Sequence, residues 1–136
     1  MLTLDHVGIA VEDLETSISL YEDLLGQPPS HREIVESQKV EVAFFQTGAT
    51  QIELIASTDP TSAIARFLER KGPGMHHMAY KVSSIEQAMQ IMAEKGYELI
   101  DRTPRVGAQN KLICFLHPRS TQGVLIELCQ HQKEIG

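Results

Sequence analysis

The chain has 136 residues, 42% of them hydrophobic, which suits one domain able to bury its own core. Its 12 Lys and Arg stand against 18 Asp and Glu, a formal net charge of −6 with 5% aromatic residues. That balance excludes a general nucleic-acid binder, which needs a basic surface to displace counterions. No apolar run approaches the roughly 20 residues that span a bilayer, and the opening Met1–His6 lacks the basic-then-apolar pattern of a signal peptide. Cys114 and Cys129 show no CxxC spacing, so the expectation is a cytoplasmic domain with two buried thiols and no membrane partner.

In chain order, alternation predicts a first strand near 2–11. Leu14, Ile18, Tyr21 and Leu25 recur at helical spacing, and Gly26 closes that helix. Strands follow near 31–36, 39–47 and 50–56, the last two joined as a hairpin at Gly48–Ala49. A connecting helix is predicted over Pro60–Lys71, with Asp59 as N-cap, Pro60 at the first position and Gly72 past the end. A strand near 76–82 leads into a helix carrying Ile85, Ala88, Met89 and Met92. Ser83 and Glu86 form its capping box and Gly96 closes it. Strands near 97–101, 111–117 and 124–130 complete the chain, and His131–Gly136 is polar enough to fray.

The chain reads as two copies of one unit. His6 falls on His77, Val11 on Val82 and Glu15 on Glu86, an offset of 71 residues (77 − 6). Gln51–Ile55 falls on Leu125–Cys129 at an offset of 74 (127 − 53), which predicts a three-residue insertion within His117–Gly123. Each copy has the order β-α-β-β-β. The predicted fold class is α+β: two βαβββ modules, about 1–58 and 74–131, linked by the helix near 60–71. The modules pair into a cupped mixed sheet with helices on the outer face, within a single domain 1–136.

Side chains alternate faces along a strand. His6 shares a face with Gly8 and Ala10, and His77 with Ala79, so small residues leave room beside each imidazole. Glu53 lies between Ile52 and Leu54, and Glu127 between Ile126 and Leu128; their apolar neighbours pack on the helices, so both glutamates face the other side. One His and one Glu per copy make His6, Glu53, His77 and Glu127 a candidate ligand set. Two imidazoles and two carboxylates suit one divalent ion such as Zn, Co, Ni or Mn, with positions left for substrate oxygens. His76 points away from His77 and is assigned a structural role. His31, His117 and His131 have no repeat partner and are assigned to surface or loops. Cys129 shares the face of Glu127, with a packed thiol as the plainer role.

Asp5-His6-Val7-Gly8-Ile9-Ala10-Val11, Gly74-Met75-His76-His77-Met78-Ala79-Tyr80, and His117-Pro118-Arg119-Ser120 running on to Gly123-Val124-Leu125-Ile126-Glu127-Leu128 resemble the methylmalonyl-CoA epimerases, a branch of the vicinal oxygen chelate superfamily. The likeness covers roughly residues 3–131. It implies His6, His77 and Glu127 as metal ligands, with the remaining ligand position on Glu53, where known epimerases can have Gln. It also implies a catalytic carboxylate at Glu41, working with Glu127 as the second acid/base group. The implied reaction is epimerisation of methylmalonyl-CoA by proton abstraction alpha to the thioester, through an enolate, in a homodimeric enzyme acting on a small-molecule acyl-CoA.

The acidic chain offers no global steering for anionic coenzyme A, so Arg102, Arg105 and Lys111, flanking Gly107–Asn110, are candidate substrate contacts, with ordinary solvated charge as the alternative. A glyoxalase-type isomerase of thiol hemithioacetals would use the same four ligands. A non-catalytic antibiotic-binding protein of this fold would usually need no metal. A ring-cleaving dioxygenase would use two His and one Glu with iron, and Glu53 would occupy a position oxygen needs open.

Overall fold

The computed structural model describes residues 2–132; Met1 and residues 133–136, the larger part of the tail expected to fray, lie outside the described residues. The fold is α+β, with three α-helices and eight strands among the described residues. The strands are β1 (Thr3–Ala10), β2 (His31–Val35), β3 (Val40–Thr47), β4 (Thr50–Ser57), β5 (Gly74–Lys81), β6 (Arg105–Val106), β7 (Leu112–Leu116) and β8 (Ile126–Gln130). The helices are α1 (Leu14–Leu25), α2 (Ala63–Lys71) and α3 (Ile85–Glu94). The chain divides into two compact units. One is His6–His76; the other gathers the described residues of Met1–Asp5 and His77–Gly136.

In the first unit, β2 and β3 pair antiparallel, β3 and β4 pair antiparallel, and β1 joins β4 in parallel. The β3–β4 hairpin turns at Gly48–Ala49 as expected, with Thr47 opposite Thr50. Helix α1 starts where the Asp13 side chain accepts the Thr16 N–H and ends at Gly26, whose φ of 69° is left-handed and suits glycine. Its buried residues Leu14 and Ile18 pack with Val11, Ala43, Phe45, Leu54 and Ala56, each fully buried Leu or Ile contributing roughly 1.5–3 kcal/mol. Helix α2 begins later than the sequence suggests. Asp59 instead holds the turn before it, accepting the Thr61 N–H at 2.8 Å, and Ser62 is the N-cap, accepting from Ala65 at 3.0 Å.

The second unit repeats the plan: β7 pairs antiparallel with β6 and β8, and β5 joins β8 in parallel. Ser84, one residue beyond the expected Ser83, caps α3 by accepting from Gln87. Val82, Ile85, Met89, Cys114 and Leu128 form the core under that helix. The strand expected at 97–101 is reduced to a single bridge, Leu99 to Leu116. There the Asp101 carboxylate takes the Phe115 N–H at 2.8 Å, so a side chain replaces the backbone partner and pairing resumes only at β6. Pro104, which has no N–H to give a ladder, immediately precedes β6.

Candidate metal centre

The parallel registers build two equivalent corners. In the first unit Gly8 lies opposite Glu53; in the second Ala79 lies opposite Glu127. A small residue beside each carboxylate leaves the space into which the neighbouring histidine turns. His6 Nε2 stands 3.7 Å from Glu53 Oε1, and His77 Nε2 stands 3.6 Å from Glu127 Oε1. All four side chains are buried, at 4–8% exposure.

A phenylalanine backs each corner. Phe44 lies across from Glu53 and Phe115 across from Glu127. Phe44 meets the His6 ring edge-to-face at 6.0 Å and 87°, and Phe115 meets the His77 ring at 5.6 Å and 89°. Such contacts fix ring orientation and add roughly 0.5–1.5 kcal/mol beyond burial. Phe44 and Phe115 keep the 71-residue offset (115 − 44), while Glu53 and Glu127 differ by 74. The insertion therefore falls between β7 and β8, in the segment holding Pro118–Ser120, as the repeat predicted.

These corners suit a cation. The imidazole–carboxylate separations exceed hydrogen-bonding distance, whereas two donors each roughly 2.1 Å from one ion sit roughly 3.0–3.6 Å apart. A buried carboxylate also requires a positive partner, since burying an isolated charge is costly. Imidazole and carboxylate together are the donor set of borderline divalent metals.

Glu41 lies opposite Ala56, which belongs to the core under α1. Arg32 binds it at 3.2 Å and also binds Glu15 of α1 at 2.5 Å. Glu41 therefore faces α1, with the opposite parity to Phe44 on β3. Lys111 takes up a different position. It is buried, and its ammonium donates to Asp5 at 2.8 Å. Arg102 lies exposed in the bend before β6. Arg105 does reach the Phe115 face: its guanidinium stands 5.7 Å from the Phe115 ring centroid while Nε donates to Asp101 at 2.9 Å.

Histidines outside the corners have defined places. His76 meets Phe67 of α2 edge-to-face at 4.9 Å, in keeping with a structural role. His117 caps the Pro118–Ser120 turn, and His131 pairs with Asp5 at 2.6 Å. His31 sits on β2 opposite Phe44, on the Glu53 face, with its side chain 39% exposed and Nε2 2.7 Å from Glu33. Alternation along 31–35 was the available signal for that pair, and the 71-residue offset the available signal for the two phenylalanines. Cys129 lies with Ala79, Ile113 and Phe115 on the Glu127 face, where burial pushes its thiol far up; burial likewise pushes Cys114 up to about 12.

A sequence model of the glyoxalase/bleomycin resistance protein/dioxygenase superfamily matches residues 5–115. The chain is 46% identical over 130 residues to an uncharacterized Bacillus subtilis protein, YqjC, covering 96% of this chain and 93% of that one. It is 37% identical over 128 residues to the human mitochondrial methylmalonyl-CoA epimerase, covering 93% of this chain and 73% of the relative. The crystal structure of methylmalonyl-CoA epimerase from Mycobacterium tuberculosis matches with a TM-score of 0.91 at 40% identity, over 96% of this chain and 88% of that one. The chain belongs to that superfamily, in its methylmalonyl-CoA epimerase branch, and is an isomerase of the epimerase kind.

Proposed function

We propose that the chain interconverts the stereoisomers of methylmalonyl-CoA, using one divalent cation held by His6, Glu53, His77 and Glu127. The observation that carries the reading is the duplicated corner, an imidazole and a carboxylate 3.6–3.7 Å apart in each unit, buried and backed by a phenylalanine of its own. Two carboxylates balance the charge of one dication, so the four side chains and the ion together are neutral. A second carboxylate where known epimerases can have Gln fits that balance and does not disturb it.

The carbon to be inverted lies between a thioester and a carboxylate and is a weak acid. When bound, the cation supplies the positive charge that stabilises negative charge developing on the substrate oxygens. The chain's own residues do the rest. Phe44 and Phe115 hold the imidazoles in one orientation, and burial of both corners excludes the water that would weaken those charges. Glu127 removes or returns the proton at one face of the carbon. Arg105, stacked on Phe115, is an anion contact for the substrate, and the assembly is a homodimer. Positioned proton transfer of this kind typically contributes about 10²–10⁴-fold.

The test is metal analysis of the purified protein followed by deuterium exchange at C2 of methylmalonyl-CoA. One divalent ion per chain with exchange from both stereoisomers is expected. Stoichiometric metal without exchange keeps the site and overturns the reaction. Turnover of a glutathione hemithioacetal in its place would assign the glyoxalase chemistry instead.

A further inference from the structure

The acidity of the chain falls on one unit. His6–His76 carries five Lys and Arg against eleven Asp and Glu, a net of 5 − 11 = −6, while the other unit carries seven of each, a net of 7 − 7 = 0. In that second unit Arg105 of β6 stands opposite Ile113 of β7, and Ile113 packs with Ala79, Phe115 and Cys129 on the Glu127 face. Strand partners share a face, so Arg105 lies on the side of the His77–Glu127 corner. Its guanidinium carbon stands 5.7 Å from the Phe115 ring centroid, and that ring meets His77 at 5.6 Å. Its Nε donates to Asp101 Oδ1 at 2.9 Å. The other oxygen, Oδ2, accepts the Phe115 N–H at 2.8 Å. One carboxylate thus grips both the guanidinium and the backbone of the ring beneath it. The Arg105 side chain is 45% exposed, and its two Nη groups meet no partner among the described residues. A half-exposed ion pair of this kind contributes little to stability. With Nε occupied, the Nη pair is a flat fork of donors that matches two oxygens of one anion. Arg119 offers no such fork, since Glu98 takes both its Nε and its Nη2, and the buried Lys111 is taken by Asp5.

We propose that Asp101 is a positioning residue for substrate binding: it holds Arg105 so that the Nη fork receives two oxygens of an anionic group of the acyl-CoA, a carboxylate or a phosphate. The assignment rests on the epimerase reading above. The Nη–H groups donate and the anion's oxygens accept; no covalent bond changes there. The Phe115 face supports the guanidinium from below by a cation–π contact. A free arginine side chain loses rotamer freedom when a ligand fixes it, and the Asp101 link removes part of that cost before the substrate arrives. Asp101 touches no substrate atom in this scheme and acts only through the arginine.

The test is steady-state kinetics of the metal-loaded wild type, Arg105→Met, Asp101→Asn, Asp101→Ser and the double variant Arg105→Met with Asp101→Asn. Two substrates are compared: methylmalonyl-CoA, and the N-acetylcysteamine thioester of methylmalonate, which keeps the carboxylate and has no phosphate. Circular dichroism and metal content confirm that each variant is folded and loaded. Arg105→Met is expected to raise KM for methylmalonyl-CoA about 10–100-fold, the usual worth of charge-assisted hydrogen bonds, with a smaller effect on kcat. Both Asp101 variants should raise KM in the same direction and by less, and Asp101→Asn should add nothing on the Arg105→Met background. An equal rise for both thioesters supports the site and assigns the carboxylate to it; a rise for the CoA thioester alone supports it and assigns a phosphate. An unchanged KM in Arg105→Met overturns the anion site. Unchanged KM in both Asp101 variants, or an Asp101→Asn effect that persists in full in the double variant, overturns the positioning role. A wild type that epimerises neither thioester overturns the epimerase reading and this assignment with it.

Discussion

The two units carry matching corners and differ in the residues around them. Each carries His, Glu and Phe in the same strand positions, with imidazole–carboxylate distances that differ by only 0.1 Å (3.7 − 3.6). Beside its own corner, the first unit places His31 and Glu33 on β2. The second places Arg105 on β6, stacked on Phe115 and tied to Asp101.

Equal centres predict equal losses. His6→Ala and His77→Ala should each abolish stoichiometric metal binding and lower epimerisation by more than about 10²-fold, since the cation's stabilisation of developing charge is worth several kcal/mol. Metal content after dialysis and turnover under saturating metal check this. A variant that keeps both metal and turnover would show that its unit does not hold the ion.

The next effect should be confined to the second unit. Asp5 is buried between Lys111 at 2.8 Å and His131 at 2.6 Å. Lys111→Met leaves that buried carboxylate without its ammonium and should cost about 3–5 kcal/mol. Denaturant unfolding reads the cost, and a change under 1 kcal/mol would mean that the pair is dispensable. The smallest effect should again be matched. Phe44→Leu and Phe115→Leu each remove an edge-to-face contact worth roughly 0.5–1.5 kcal/mol beyond area. Both should lower stability by similar amounts, so a large inequality between them would show that the two corners are not energetically equivalent.

Much of this was legible in the chain. The offset of 71 between His6 and His77 and of 74 between Glu53 and Glu127 located the repeat and its insertion, and strand alternation separated the helix-packed residues from those opposite. Helix starts were misplaced by one to three residues at Ser84 and Ser62, because several hydroxyl and carboxyl side chains near each start can cap and only local geometry selects one. The strand near 97–101 was missed as a bridge because the Asp101 side chain, 14 residues from Phe115, takes the ladder position.

Glu41 shows where the one-dimensional pattern stops. The residues 40–45 are apolar on both sides of it, so alternation alone names no face, and only the Arg32 link to Glu15 and the register opposite Ala56 turn it toward α1. Lys111 was equally unreadable, since its partner Asp5 lies 106 residues away. Sequence alone determined the duplicated strand–helix plan and which residue types recur in it, because period and repeat are local properties of the chain. Tertiary structure alone decided which carboxylates share a face with the histidines and which cations are already neutralised, because register and charge pairing depend on segments far apart in sequence.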